Sequence, residues 1–310
     1  MRILLLSPNQ IARYNWGHQL FRNEIGKEHE VVYYGEGYKG WDPNLSVSQI
    51  IRKFYVSSPD VLLTYGWRYS RPFQGFDRVN IPRVHIAVDY VGKKGSFKGT
   101  ILPQGEFFER LKPAIVFGVT SLVVENLKQN NICDKIFLLP FSVDTNIYKQ
   151  IPDTTKVIDV LAAFTVRDDV YPNRSKVHRM LKGMKGLRTL TKSVSQMKFI
   201  KAISASKITI TSNNIYNSLS MRYTEVLSCG GFLLADKPED FDRFGYIDGK
   251  HLVLYKDIND LRDKIQYYLK HDSEREHIAR QGMKFVRKYH SCKRRVGEFI
   301  DIVKHNINGL

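Results

Sequence analysis

The feature that most constrains this chain is a regular alternation of short apolar runs with segments whose apolar residues recur at helical spacing. Apolar runs lie at 3–6, 30–34, 61–65, 83–87, 115–119 and 136–139, and helical patterns fall near 16–25, 47–55, 105–112 and 121–130. Strand–helix–strand repetition of this kind implies parallel strands joined by crossover helices. In such a doubly wound sheet, ligands sit beyond the carboxyl ends of the strands. The alternation then restarts. Strands are expected at 157–164, 207–211, 232–235 and 251–255, with helices at 174–182, 220–229, 260–270, 273–290 and 292–306. Gly230-Gly231 would stop the helix over 220–229 as a C-cap.

At 310 residues the chain is long enough for two α/β cores. Its 43% apolar and 25% charged residues exclude disorder. The polar segment 148–156, with Pro152 inside it, is the expected boundary. The organisation read from the sequence is therefore a first Rossmann-like domain over 1–150 and a second over 151–290. A C-terminal helix over 291–310 is expected to pack back on the first.

Cys133, Cys229 and Cys292 are far apart, with no CxxC or Cys/His cluster around them. That spacing argues against a zinc site or a disulfide framework and suits reduced, mostly buried thiols in a cytoplasmic protein. The apolar start is too short for a signal peptide, and no run approaches the roughly 18 apolar residues of a membrane span. The net charge of +17 favours polyanionic partners. Its sharpest local expression is 171–207, which holds ten Lys/Arg and no acidic residue. Two or three cations suffice for a diphosphate. The surplus suits a nucleic-acid contact, docking at the inner face of an anionic membrane, or simply a solvated basic face.

The chemistry is most concentrated in Ser218-Leu-Ser-Met-Arg-Tyr-Thr-Glu-Val-Leu-Ser-Cys-Gly-Gly231. A loop of small polar residues leads into a helix with Arg222 near its first turn and Glu225 one turn on. Exposed N–H groups at a helix start, its dipole and an Arg make an anion site suited to a diphosphate. A carboxylate one turn later can accept both hydroxyls of a ribose. The same residues also fit an amphipathic helix with both charges in water. In the first half, Asp89 follows a strand and would serve as general base or orient an acceptor hydroxyl; a turn Asp is the alternative. His18 follows the first strand, and Gly17 beside it would let backbone approach a ligand; a surface His is the alternative. Gly66-Trp67 would line an acceptor groove or simply pack. Asp240-Phe241-Asp242 has the form of a metal-binding D-x-D. Its place beyond Glu225 instead suits carboxylates at a helix start.

Arg222-Tyr223-Thr224-Glu225 followed by Cys229-Gly230-Gly231 resembles the signature of GT-B glycosyltransferases, especially the spore-maturation-protein (CgeB-like) group. The likeness continues through residues 244–255, with Asp260-Leu261, Tyr267-Tyr268-Leu269 and Gly282. In the first half it includes Leu138-Pro-Phe-Ser-Val-Asp144. It is dense over 202–296 and patchy elsewhere.

The resemblance implies two Rossmann-like doubly wound domains with a cleft between them. It implies transfer of a sugar from a nucleotide sugar to an acceptor hydroxyl, with UDP-sugars ranked ahead of GDP-sugars. No tightly bound cofactor and no essential metal are expected, and retention of configuration is. Glu225 would bind the donor ribose, while Arg222 and the backbone around Ser218 and Ser220 would hold the diphosphate. Arg167 and Arg174 would neutralise the leaving diphosphate. Acceptors in keeping with the family are a glycan, a lipid-linked glycan or a modified DNA base. Asn217 departs from the pattern: many retaining members carry a Glu there, so donor sugar and anomeric outcome stay open. The contrasting reading is a non-catalytic nucleic-acid-binding protein on a GT-B-like scaffold.

Overall fold

Strand β3 (Val61–Tyr65) is buried along its whole length, as a parallel strand with helices on both faces must be. It pairs with β1 (Arg2–Leu6) on one side and β4 (Arg83–Ala87) on the other. With β2 (Glu30–Tyr34), β5 (Ile115–Gly118) and β6 (Ile136–Leu138) these form a six-stranded parallel sheet in the order β2-β1-β3-β4-β5-β6. A second parallel sheet comprises β7 (Ile158–Leu161), β8 (Thr189–Leu190), β9 (Ser206–Thr211), β10 (Leu233–Asp236) and β11 (Val253–Tyr255). Its order is β11-β10-β9-β7-β8. The computed structural model describes residues 1–9, 16–66, 72–88 and 105–307, with backbone alone at 16–19 and 105.

The helices in the first half are α1 (Trp16–Glu28), α2 (Val47–Phe54), α3 (Gly105–Leu111) and α4 (Ser121–Gln129). Their starts follow local chemistry. The Gln49 side chain accepts the Ser46 backbone N–H at 2.9 Å before α2, and the Thr120 hydroxyl accepts the Val123 N–H at 3.3 Å before α4. The second half holds α5 (Arg174–Gly183), α6 (Gln196–Ser204), α7 (Met221–Ser228), α8 (Ile258–Tyr268), α9 (Asp272–Tyr289) and α10 (Cys292–Asn306). Gly230, in the left-handed region at φ +68°, ends α7.

The chain divides into two compact units, Met1–Pro140 with Arg295–Leu310 and Phe141–Arg294. Residues 141–150 thus group with the second unit rather than the first. The reason lies in Tyr148, whose carbonyl accepts the Ser228 hydroxyl at 2.6 Å. In the first unit, Phe299 of α10 packs on Phe21 and Phe117 at ring-centroid distances of 5.9 and 5.0 Å. Among the described residues, one strand and one α-helix were not expected from sequence. One is β8; the other is α6, which buries Phe199, Ile200 and Ile203. Both lie in the stretch whose charge dominated its reading.

His85 on β4 is fully buried. Its Nδ1 lies 2.7 Å from the Thr64 hydroxyl, and its ring sits 5.3 Å from both Phe107 and Phe108. Nε2 has no partner among the described residues, and burial pushes the pKa down to about 3. A His depressed in the fold stabilises it fully above its unfolded pKa of about 6.5 and loses that contribution as pH falls towards the folded value. Urea denaturation should show about 2 kcal/mol less stability at pH 5 than at pH 7 from this group. His85→Gln should remove that component.

In the second unit, α9 crosses α7 at Gly282, where a Cβ would fall 2.2 Å from the His251 carbonyl oxygen and 2.9 Å from Leu227 Cδ2. Backbone on one side cannot yield as a side chain can. Gly282→Ala should therefore destabilise the unit by about 2 kcal/mol, read as a lowered melting temperature.

Candidate functional site

Beyond the carboxyl ends of β7, β9 and β10, the second unit gathers most of the polar residues that the motif singled out. The loop leaving β9 is fixed first. The Asp236 carboxylate at the end of β10 accepts the Asn213 N–H at 2.8 Å and the Ser212 hydroxyl at 3.1 Å. Burial raises the Asp236 pKa, and these hydrogen bonds oppose the shift. Tyr223 of α7 donates its hydroxyl to the Asp236 carbonyl at 2.6 Å. Asn217 takes a left-handed φ of +52°, and its side-chain oxygen accepts from Asn213 Nδ2 at 2.8 Å. The Ser218 N–H donates to Asn214 Oδ1 at 3.1 Å. Ser220 precedes α7, and its hydroxyl oxygen is buried without a hydrogen-bond partner among the described residues.

Glu225 is buried, at 7% exposure, and both of its oxygens are engaged. Oε1 accepts the Tyr148 hydroxyl at 2.7 Å, and Oε2 lies 3.1 Å from Arg222 Nη1. Arg222 in turn lies over the Phe199 ring, 3.9 Å from its centroid. Gln196 donates to the Tyr148 hydroxyl at 3.2 Å. Burial, then the charge of Glu225, drives the Tyr148 pKa far above its ordinary value, so this hydroxyl stays a donor. Arg222 and Glu225 are thus brought together as the motif spacing suggests. Tyr148, Gln196 and Phe199, which complete the cluster, carried no motif signal.

Arg174 opens α5 and is buried at 6% exposure. Its Nη1 donates to the Thr165 carbonyl at 3.0 Å and its Nη2 to the Ser212 carbonyl at 3.3 Å. The guanidinium stacks 3.4 Å from the Tyr171 ring centroid. It forms no carboxylate ion pair among the described residues, and its Nε is unpartnered. Desolvation lowers its pKa, and the nearby charge of Arg222 adds to that shift. Thr211 Oγ1, at the end of β9, is likewise buried and unpartnered among the described residues. Arg167, by contrast, is exposed on the loop after β7 and paired with Asp169 at 2.7 Å.

Of the remaining candidates, Gly17 and His18 fall on the first turns of α1, where backbone alone is described. Asp89 and Trp67 lie outside the described residues; Gly66 follows β3 at φ +65°. Asp242 is exposed and paired with Lys237 at 2.7 Å, whereas Asp240 is buried. The basic stretch also resolves. Arg188 and Lys207 both reach Asp159, at 2.9 and 3.3 Å, and Arg174 is the buried cation just described.

Removing the Tyr148 hydroxyl would leave Glu225 Oε1 buried with one donor fewer. Tyr148→Phe should cost about 1–2 kcal/mol in urea denaturation, and Gln196→Ala clearly less.

Residues 172–301 match a family model described as glycosyl transferase-like. A sequence search of curated proteins found no match. Solved structures align over nearly the whole chain. A glycosyltransferase from Rickettsia africae is 13% identical, with 100% of this chain and 99% of that one covered and a TM-score of 0.68. HepE from Anabaena, in complex with UDP, is 10% identical over 98% of this chain and 100% of that one, at a TM-score of 0.65. An alpha-glucosyltransferase in complex with UDP and a 13-mer DNA containing an HMU base is 11% identical over 98% and 99%, at a TM-score of 0.65. At such identities the likeness carries the fold. The chain has the fold of GT-B glycosyltransferases, and its residues 172–301 match the model of the glycosyl transferase-like family.

Proposed function

We propose that the chain is a glycosyltransferase that takes its sugar from a UDP-sugar and passes it to an acceptor hydroxyl. The observation that carries this reading is Arg174. A guanidinium taken out of water without a carboxylate costs several kcal/mol unless something anionic joins it. Here it stands at the carboxyl edge of a parallel sheet, in the same loop cluster as the start of α7. That is where an α/β fold binds phosphates. The unpartnered Ser220 and Thr211 hydroxyls are two further groups that a polar ligand would satisfy.

In this reading Arg174 and Arg222 neutralise the diphosphate as it departs with extra negative charge. Backbone N–H groups around Ser218 and Ser220 share in the binding, and Arg167 joins by leaving Asp169. Glu225, oriented by Tyr148 and Arg222, accepts the ribose hydroxyls with its remaining lone pairs. Guanidinium groups rather than a metal supply the positive charge, and the donor's anomeric configuration is retained. Asp89, with Gly17 and His18, is assigned to the acceptor side or the outer donor contacts. UDP is favoured as the nucleotide because HepE was solved with UDP and with UDP-glucose, and the alpha-glucosyltransferase with UDP.

The test is nucleotide binding followed by donor turnover. UDP should raise the melting temperature of the wild-type protein more than GDP does. Arg174→Gln should weaken UDP binding about 30-fold, about 2 kcal/mol for a charge-assisted contact, and Glu225→Ala should abolish the shift. Hydrolysis of a UDP-sugar should survive chelation by EDTA. The alpha-glucosyltransferase bound to DNA makes duplex DNA with modified bases one acceptor to screen alongside glycans. Salt-sensitive DNA binding with no response to any nucleotide would favour a non-catalytic nucleic-acid-binding protein instead.

A further inference from the structure

A second concavity lies on the second unit and shares no residue with the Glu225 cluster. It is a groove of about 800 Å³ between α5 and α8, within the range of pockets that hold whole small ligands. Lys176 and Arg179 enter it from α5, Arg262 from α8, and Lys185 from the turn after α5. All four are exposed, none forms an ion pair among the described residues, and no carboxylate lines the groove. The floor is of opposite character. Met180, Met184, Leu187, Ile258 and Leu269 form it, and they are continuous with the unit's hydrophobic core.

The two helices produce this arrangement by spacing. On α5, residues 176, 179, 180 and 183 share one face, and on α8 residues 258, 262, 266 and 269 share another. Cations on the rim and apolar atoms beneath complement a ligand whose phosphate is joined to a hydrocarbon. Nucleic acid fits less well. The described lining holds no aromatic ring on which a base would stack, and its apolar floor would gain nothing from a phosphodiester backbone.

We infer that this groove binds an anionic membrane lipid, with the headgroup phosphate on the basic rim and the upper acyl chain on the Met180–Met184 floor. The second unit thereby docks on an anionic bilayer. The attachment is peripheral, through headgroup and upper-chain contacts; among the described residues no helix is long and apolar enough to cross a membrane. It does not depend on the glycosyltransferase reading, since lipid binding needs no donor.

The experiment is cosedimentation of the full chain with phosphatidylcholine vesicles, with and without phosphatidylglycerol, alongside duplex DNA. The wild-type protein should bind only the vesicles containing phosphatidylglycerol. Arg179→Glu with Arg262→Glu should weaken that binding at least about tenfold, given the contribution of each cation near an anionic surface. Met184→Ser, which leaves every charge in place, should weaken it about threefold through lost chain contact. Lys198→Glu with Lys201→Glu on α6, outside the groove, should leave it within about twofold, having removed no groove cation.

Three outcomes would overturn the inference: groove variants that bind as wild type, a control variant that loses as much as they do, or an unaffected Met184→Ser. Binding to DNA but not to vesicles, lost in the groove variants, would also overturn it and assign the groove to nucleic acid. The UDP-dependent thermal shift, retained across these variants, reports that they fold. Its absence from the wild-type protein would count against the glycosyltransferase reading alone, and circular dichroism would then check folding.

Discussion

A carboxylate with only 7% of its surface in water must be held by its neighbours, and Glu225 is held from two directions. From one side comes the Tyr148 hydroxyl, supplied by a residue 77 positions earlier. From the other comes Arg222 of its own helix, kept flat by the Phe199 ring. Each partner is fixed in turn: Tyr148 through its carbonyl to Ser228 near the end of the same helix, and Phe199 by burial in α6. The result is a carboxyl group whose direction is set before any ligand arrives, the kind of preorganisation on which binding sites in low-dielectric surroundings depend.

Around this clamp the second unit is built to tolerate polar atoms that its own chain leaves unsatisfied. Buried polar groups are nearly always paired, and the exceptions at Arg174, Thr211 and Ser220 come from the end of β9 and the starts of α5 and α7. The parallel sheet accounts for that distribution. Every strand in it ends at the same edge, so the loops leaving β7, β9 and β10 converge there. Asp236 and Asn213 tie the loop after β9 into a fixed shape.

Much of this was legible in the sequence. Strands β2, β3 and β4 coincide with the apolar runs residue for residue; β3 and β4, buried on both faces, need no alternation and stand out as blocks. Strand β7 is shorter than its apolar run: Ala162 to Phe164 are buried beyond the ladder. Strand β8 was missed because a two-residue edge strand has no pattern to show. Helix α6 was missed although Phe199, Ile200 and Ile203 have helical spacing, since the surrounding lysines invited a reading by charge alone. The Arg222–Glu225 pair was visible as a one-turn spacing. Tyr148 was not, because a contact across 77 residues leaves no local trace. Nor could sequence show that Arg174 is buried without a carboxylate ion pair among the described residues, while Arg167 is exposed and has one.

The first unit is assembled from two stretches of chain separated by the whole of the second. Its Phe21 and Phe117 rings each pack on Phe299, a residue translated only after the intervening lobe. During synthesis the lobe that begins first therefore finishes last. Its nascent form waits with an apolar face uncovered while the later lobe acquires all of its strands, and that interval is when a chaperone has most to shield.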